Sequence, residues 1–147
     1  MILTFLDKYR NVGLLILRIG LGFMFVVHGT PKIFGGPEMW AKIGTMGMAP
    51  LGIHFAPAVW GFLCALAEFG GGICVMLGIF FRPVCMVILI DMIVAAHMHL
   101  ALGQGFGTAS HAIEDGIVFL SLILIGPGSI SLDALLTGFS GDKKKAP

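Results

Sequence analysis

Four long hydrophobic stretches take up most of the chain, and short polar or Gly/Pro-rich segments separate them. Their approximate limits are residues 12–34, 56–80, 83–102 and 110–126. An α-helix needs roughly 20 residues to cross the apolar part of a bilayer, a length that three stretches reach and the fourth approaches. The pattern therefore predicts an all-α fold, an integral membrane four-helix bundle that forms a single domain over residues 1–147.

The segments between the stretches contain residues that interrupt helices. The first connection, about residues 35–55, contains Gly35-Gly36-Pro37 and Ala49-Pro50, and the second is the turn Phe81-Arg82-Pro83. Glycine and proline at such positions favour turns and loops. We therefore expect the first connection to be a long Gly/Pro-rich segment and the second to be a tight turn.

Composition supports a membrane protein. Hydrophobic residues make up 57% of the chain and charged residues 12%, about half of the roughly 25% that is usual in soluble domains. The net charge of +1 comes with no basic stripe, so nothing predicts a nucleic-acid partner. Cys64, Cys74 and Cys85 form no CxxC motif and show no metal-ligand spacing, so we predict that they are small apolar packing residues and that no metal site follows from them.

Basic residues at the ends of the stretches predict the orientation of the bundle. Six lie in the N-terminal segment, the second connection and the C-terminal tail: Lys8, Arg10, Arg82, Lys143, Lys144 and Lys145. Two lie in the first and third connections, Lys32 and Lys42. Because short cytoplasmic segments carry an excess of lysine and arginine, we predict that both termini are cytoplasmic.

Ionisable residues inside the stretches indicate a polar interior. A charge in the hydrocarbon region costs several kcal/mol, so such residues face the inside of a bundle and mark functional sites. Counting about 1.5 Å per residue places Arg18, Glu68 and Asp91 at one depth, about 9–12 Å from the cytoplasmic edge. We predict an ion pair of Arg18 with Glu68 or with Asp91. Because two carboxylates face one arginine, the alternative is that Glu68, held by Arg18, relays protons at a catalytic site.

A second polar group is predicted in the outer half of the bundle. Its members are His28, Lys32, His97, Glu114 and His111. His111 shares a helix face with Asp115 at i,i+4. His97 and His99 lie about 200° apart around their helix, so only one of them faces the interior.

Three interpretations of the outer group remain open. Histidines and acids can hydrogen-bond a quinone or another aromatic headgroup and exchange protons with it. Facing helices of a bundle can also hold haem or copper, although the sequence contains one His111-x-x-Glu114 and no paired Glu-x-x-His arrangement. Met46-Gly47-Met48 and His97-Met98-His99 are candidate copper ligands under this alternative. The third interpretation is a structural hydrogen-bonded network.

Four motifs in order resemble the DoxX family. They are Leu17-Arg18-Ile19-Gly20-Leu21-Gly22 with His28-Gly29-Thr30-Pro31-Lys32, then Glu68-Phe69-Gly70-Gly71, then Ala95-Ala96-His97-Met98-His99, and finally Glu114 with Gly126-Pro127-Gly128-Ser129. The resemblance covers about residues 12–133. It implies a four-helix bacterial or archaeal inner-membrane protein, with relatives that include the membrane subunit of a thiosulfate:quinone oxidoreductase and proteins linked to oxidative stress.

The resemblance also implies which positions are polar in the family. Carried over by position, these are Arg18, His28, Lys32, Glu68 and Glu114, with His97 or His99 undecided. Asp91 and His111 do not match family positions. We therefore hypothesise that the chain binds a quinone and supports quinone-linked electron transfer.

No redox centre is visible in the sequence, so the electrons are expected from a substrate, a redox partner protein or another subunit. Contacts with membrane lipid are expected as well. The alternatives are a haem- or metal-binding protein, a non-catalytic scaffold for partner assembly and, more weakly, a transporter. Since four spans are few for a transporter, that alternative would require a homo-oligomer.

Overall fold

The computed structural model describes residues 3–142, and within that range the chain is helical and contains no strand. A 3₁₀ turn, Thr4–Tyr9, leads into α1, and a second one, Ala49–Leu51, follows α2. The helices are α1 (Arg10–Ile33), α2 (Gly36–Met48), α3 (Pro57–Leu77), α4 (Phe81–Ala101), α5 (Phe106–Ile125) and α6 (Leu132–Asp142).

Four helical segments of the described chain are long and apolar enough to cross a membrane, which confirms the predicted spans. They are Thr4–Ile33, α3, α4 and α5. An even number of spans places the N-terminal segment and α6 on the same side of the bundle. Which side is cytoplasmic stays a prediction, and the tail residues 143–145 used for it lie outside the described range. Many large apolar side chains on the outer surface are exposed, among them Ile16, Ile93 and Leu124, and they form the lipid-facing surface.

The first connection differs from the prediction, because it contains the helix α2. Pro37 occupies the first turn of α2, where its missing N–H leaves no hydrogen bond unmade. With 13 residues α2 is too short to span a bilayer. It packs instead against the first half of α3, where Gly61 meets the backbone of Trp40.

Helices α1 and α2 follow one another along α3. A Cβ added at Gly29 of α1 would collide with the backbone of Phe69. Gly22 lies further along α3, where an added Cβ would be 2.6 Å from the carbonyl oxygen of Gly72. The first turns of α3 project beyond the end of α1 and are covered by α2. This stagger determines which polar residues of α1 and α3 face each other.

The segment after α5 folds back onto the start of α1, and Arg18 holds it there. The Arg18 side chain is 1% exposed, and its Nη1 and Nη2 donate hydrogen bonds to the carbonyl oxygens of Pro127 (2.6 Å) and Ile130 (2.7 Å). The predicted ion pair of Arg18 with Glu68 or Asp91 is therefore wrong. Because α1 and α3 are staggered, Arg18 and Glu68 lie at different levels of the bundle.

Asp133 continues this connection to the turn between α3 and α4. Its carboxylate accepts hydrogen bonds from the backbone N–H groups of Phe80 and Phe81, both at 2.9 Å, at the N-terminus of α4. A negative charge is favourable there because the first N–H groups of a helix have no partner within it. Ser131 caps the unpredicted helix α6 by accepting from the Ala134 N–H.

The apolar core fills the half of the bundle near the start of α1. Phe25 and Phe119 meet edge to face with their ring centroids 5.0 Å apart, and Phe81, Ile88 and Leu122 pack around them. Edge-to-face contact is a favoured geometry for aromatic pairs. The polar residues lie in the opposite half.

Gly61→Ala is expected to lower the free energy of unfolding in detergent by about 1–3 kcal/mol, because the added methyl group meets the backbone of Trp40. Gly20→Ala is the matched control, since an added Cβ there meets nothing within 4 Å. Thermal unfolding followed by gel filtration compares the two. Equal stability of both variants would contradict the close packing of α2 on α3.

Arg18→Met is expected to cost about 2–4 kcal/mol and to loosen the segment after α5, because two carbonyl oxygens lose a charged donor. Arg18→Lys should lower the free energy of unfolding by less, since lysine keeps a charged donor although it lacks the forked geometry of guanidinium. Unfolding in detergent gives the stability, and limited proteolysis reports cleavage at 126–131. If Arg18→Met were cleaved no faster than the wild type, Arg18 would not anchor this segment.

Candidate functional site

A cavity of about 550 Å³ lies in the polar half of the bundle, and α1 to α5 all contribute to its wall. Its charged, histidine and thiol residues are His28 and Lys32 of α1, Cys64 and Glu68 of α3, Asp91 and His99 of α4, and His111 and Asp115 of α5. Phe25, Met92 and Ala112 belong both to the cavity wall and to the apolar core, so they separate the two halves.

One ion pair crosses from α1 to α3 in this wall. Lys32 Nζ lies 2.6 Å from Glu68 Oε1. The Glu68 side chain is 7% exposed, whereas the Lys32 side chain is 31% exposed and reaches the pair from the end of α1. A buried carboxylate needs such a partner because desolvation of a lone charge is costly. The partner of Glu68 is thus Lys32, a residue that the sequence analysis assigned to the polar group of the outer half.

Cys64, Glu68 and Asp91 form a compact cluster beside this pair. One ligand atom from each lies within 4.8 Å of the other two. Cys64 and Glu68 share a helix face at i,i+4, and the tight turn after α3 brings Asp91 of α4 alongside them. The sequence predicted only a packing role for Cys64. Its spacing from Glu68 was the signal that could have identified the cluster.

Three histidines line the cavity, from three helices: His28, His99 and His111. His99 rather than His97 therefore faces inward. His99 follows Asp91 at i,i+8, which places both on one side of α4, and this spacing was available in the sequence. Nδ1 of His99 is hydrogen-bonded to Gln104 Oε1 at 2.6 Å, which fixes the orientation of the ring.

His97 and Glu114 are exposed on the outside of the bundle and do not line the cavity. Asp115, the neighbour of Glu114, lines it instead. Arg18 also lies away from the cavity wall. The two predicted polar groups are thus not separate, since Glu68 and Asp91 of the first share one cavity with His28 and His111 of the second.

Apolar side chains complete the wall and continue onto the outer surface. Leu63, Val87 and Ile90 line the cavity and are also exposed on the lipid-facing side. Trp60 lies in the wall as well, with its Nε1 donating to the Phe55 carbonyl oxygen at 3.1 Å. The arrangement suits a planar molecule with polar groups at one end and an apolar remainder that extends towards lipid.

Comparison with known proteins places the chain among membrane proteins. A model of the DoxX family matches residues 13–101. The chain is 29% identical over 138 residues to an uncharacterized protein of Haemophilus influenzae, covering 87% of this chain and 93% of that protein. Its identity to the inner membrane protein YqjF of Escherichia coli is 28% over 136 residues, covering 89% and 97%. Inner membrane protein YphA of the same organism is 27% identical over 132 residues, covering 84% and 90%. No solved structure matches the chain significantly.

Lys32→Met is expected to lower the free energy of unfolding by about 3–5 kcal/mol, because Glu68 then stays buried without its counter-ion. Adding Glu68→Gln to the same chain should recover most of this loss, since a neutral amide needs no counter-ion. Lys42→Met, at an exposed position of α2, is the matched control. Unfolding in detergent gives the free energy of unfolding of all three variants. If the loss in the double variant equalled the sum of the losses from the two single changes, the pairing of Lys32 with Glu68 would be contradicted.

Proposed function

This chain belongs to the DoxX family and is a multi-pass inner-membrane protein, and we propose that its cavity binds the headgroup of a quinone. In this proposal the protein supports quinone-linked electron transfer as a subunit of a larger system. The observation that carries the proposal is the cavity itself, because imidazoles, an ammonium group and carboxylates line it together with many apolar side chains.

The size and lining of the cavity support a small amphipathic ligand. Ligand sites commonly have about 300–1,000 Å³ and a mostly apolar wall with a few polar groups that fix orientation. The cavity has about 550 Å³. Because Leu63, Val87 and Ile90 connect its wall to the lipid-facing surface, a ligand with an apolar tail has a route from the membrane without crossing water.

The polar residues supply the interactions that a quinone headgroup requires. Imidazole N–H groups of His28 and His111 can donate hydrogen bonds to its oxygens, and Lys32 adds a charged donor. A bound quinone would supply two-electron, two-proton redox chemistry. Asp115, which lines the cavity next to these histidines, can hold and pass on a proton.

The electrons in this proposal come from a redox partner protein or another subunit of the system. A homo-oligomer is compatible with the proposal but is not required by it. Haem or copper remains the alternative cofactor, because the inward histidines come from different helices. The scaffold alternative assigns the cavity no ligand.

Quinone binding can be measured through Trp60, which lies in the cavity wall. A short-chain ubiquinone is titrated into the full chain in mild detergent, and saturable quenching of tryptophan fluorescence is expected. Gly47→Leu should abolish saturable binding, because Gly47 lines the cavity and a leucine there fills part of it. Gly20→Leu is the control, since an added Cβ at Gly20 meets nothing within 4 Å.

His28→Ala tests the polar end of the same site. Loss of one hydrogen bond of about 1 kcal/mol predicts roughly fivefold weaker quinone binding. His99→Ala should weaken binding more than His97→Ala, because only His99 lines the cavity. An oxidised-minus-reduced absorption spectrum separates the alternatives, since a Soret change would indicate haem. Non-saturable quenching that Gly47→Leu leaves unchanged would overturn the quinone proposal.

A further inference from the structure

We propose that Cys64, Glu68 and Asp91 form a binding site for a divalent metal ion of the zinc class on the α3–α4 wall of the cavity. The proposal goes beyond quinone binding and does not depend on it. Its basis is the distance of at most 4.8 Å among the sulfur and the two carboxylate oxygens, a spacing that one ion can bridge.

Helix geometry holds the three ligands in place before any ion binds. Cys64 and Glu68 lie one turn apart on α3, in a region where α1, α2 and α4 all pack against that helix. Asp91 approaches from α4, which is tied to α3 by a turn of three residues. Ligands on rigid helices give a defined coordination geometry, unlike ligands on a mobile loop.

Two buried acceptor atoms in the cluster lack a hydrogen-bond donor or a cation as partner among the described residues. Glu68 is 5% exposed, and its Oε2 makes no hydrogen bond within the described residues, although Oε1 is bound to Lys32. Asp91 Oδ2 is likewise buried and without a partner in that range. Buried polar atoms are nearly always paired, so two such oxygens beside one thiol indicate a ligand that binds all three.

Charge balance favours a divalent ion. Glu68 and Asp91 as carboxylates and Lys32 as ammonium leave one negative charge on the cluster and its ammonium partner. Binding of a divalent ion displaces the thiol proton of Cys64, which leaves to water, and a metal–sulfur bond forms in place of the S–H bond. Three negative ligands, the ammonium group and the ion then sum to zero, and no electron is transferred.

The donor set selects the class of metal. A thiolate disfavours magnesium and calcium, which prefer oxygen ligands, whereas zinc accepts sulfur together with carboxylate oxygen. Three protein ligands leave one position of a tetrahedral ion open. That position would face the cavity, so the ion could contact water or a bound molecule there.

The test uses Co²⁺ as a spectroscopic substitute for zinc, with the full chain in mild detergent and no quinone present. A bound thiolate gives a thiolate-to-cobalt charge-transfer absorption in the near ultraviolet. We expect this absorption to saturate at one Co²⁺ per chain and to be displaced by Zn²⁺. Cys64→Ser should abolish it, whereas Cys74→Ser, on the same helix but outside the cluster, should retain it.

Asp91→Asn tests the ligand from α4, and it is expected to weaken Co²⁺ binding by more than about tenfold. Gel filtration checks that each variant remains folded. If Cys64→Ser does not fold, Cys64→Ala provides a second, apolar replacement. Charge-transfer absorption that survives Cys64→Ser, disappears in Cys74→Ser or keeps its affinity in Asp91→Asn would overturn the site. Because no quinone takes part, these outcomes leave the quinone proposal unaffected.

Discussion

Close backbone contact of α3 with α1 and α2 determines the rest of the bundle. The helices approach closely because two positions at the contacts lack a Cβ, Gly29 on α1 and Gly61 on α3. In a membrane this packing replaces the hydrophobic effect as the source of helix association, because lipid is as apolar as the side chains. The resulting stagger brings Lys32 next to Glu68 and leaves Arg18 free to bind the segment after α5.

Buried charges are stabilised by different partners in the two halves of the bundle. Near the start of α1, the guanidinium of Arg18 is stabilised by carbonyl oxygens, and the surrounding core is apolar. Arginine suits this role because its planar fork can donate to two acceptors at once. In the other half, Lys32 and Glu68 form an ion pair at the edge of a cavity. The buried arginine and the ion pair thus lie at separate depths and have different partners.

The cavity combines apolar and polar residues in one wall. Its wall is continuous with the lipid-facing surface through apolar side chains, and its polar residues range from the buried Glu68 to the exposed His28 and His111. The cluster of Cys64, Glu68 and Asp91 occupies only the α3–α4 side of the wall. Histidines from α1 and α5 lie elsewhere in the wall, so a metal ion and an organic headgroup would each have their own set of ligands.

The sequence predicts the four membrane helices, because length and hydrophobicity are local properties and a bilayer imposes both. It also identified Arg18, Glu68 and His28 as residues that need an explanation, since charge and imidazole are rare in lipid. Their partners follow from the packing of the helices. The helix α2 is too short to be recognised as a span, yet it covers the first turns of α3 and so fixes the stagger between α1 and α3. Pairing across helices depends on that stagger, and the stagger arises from contacts between residues far apart in the chain, which no local pattern of residues encodes.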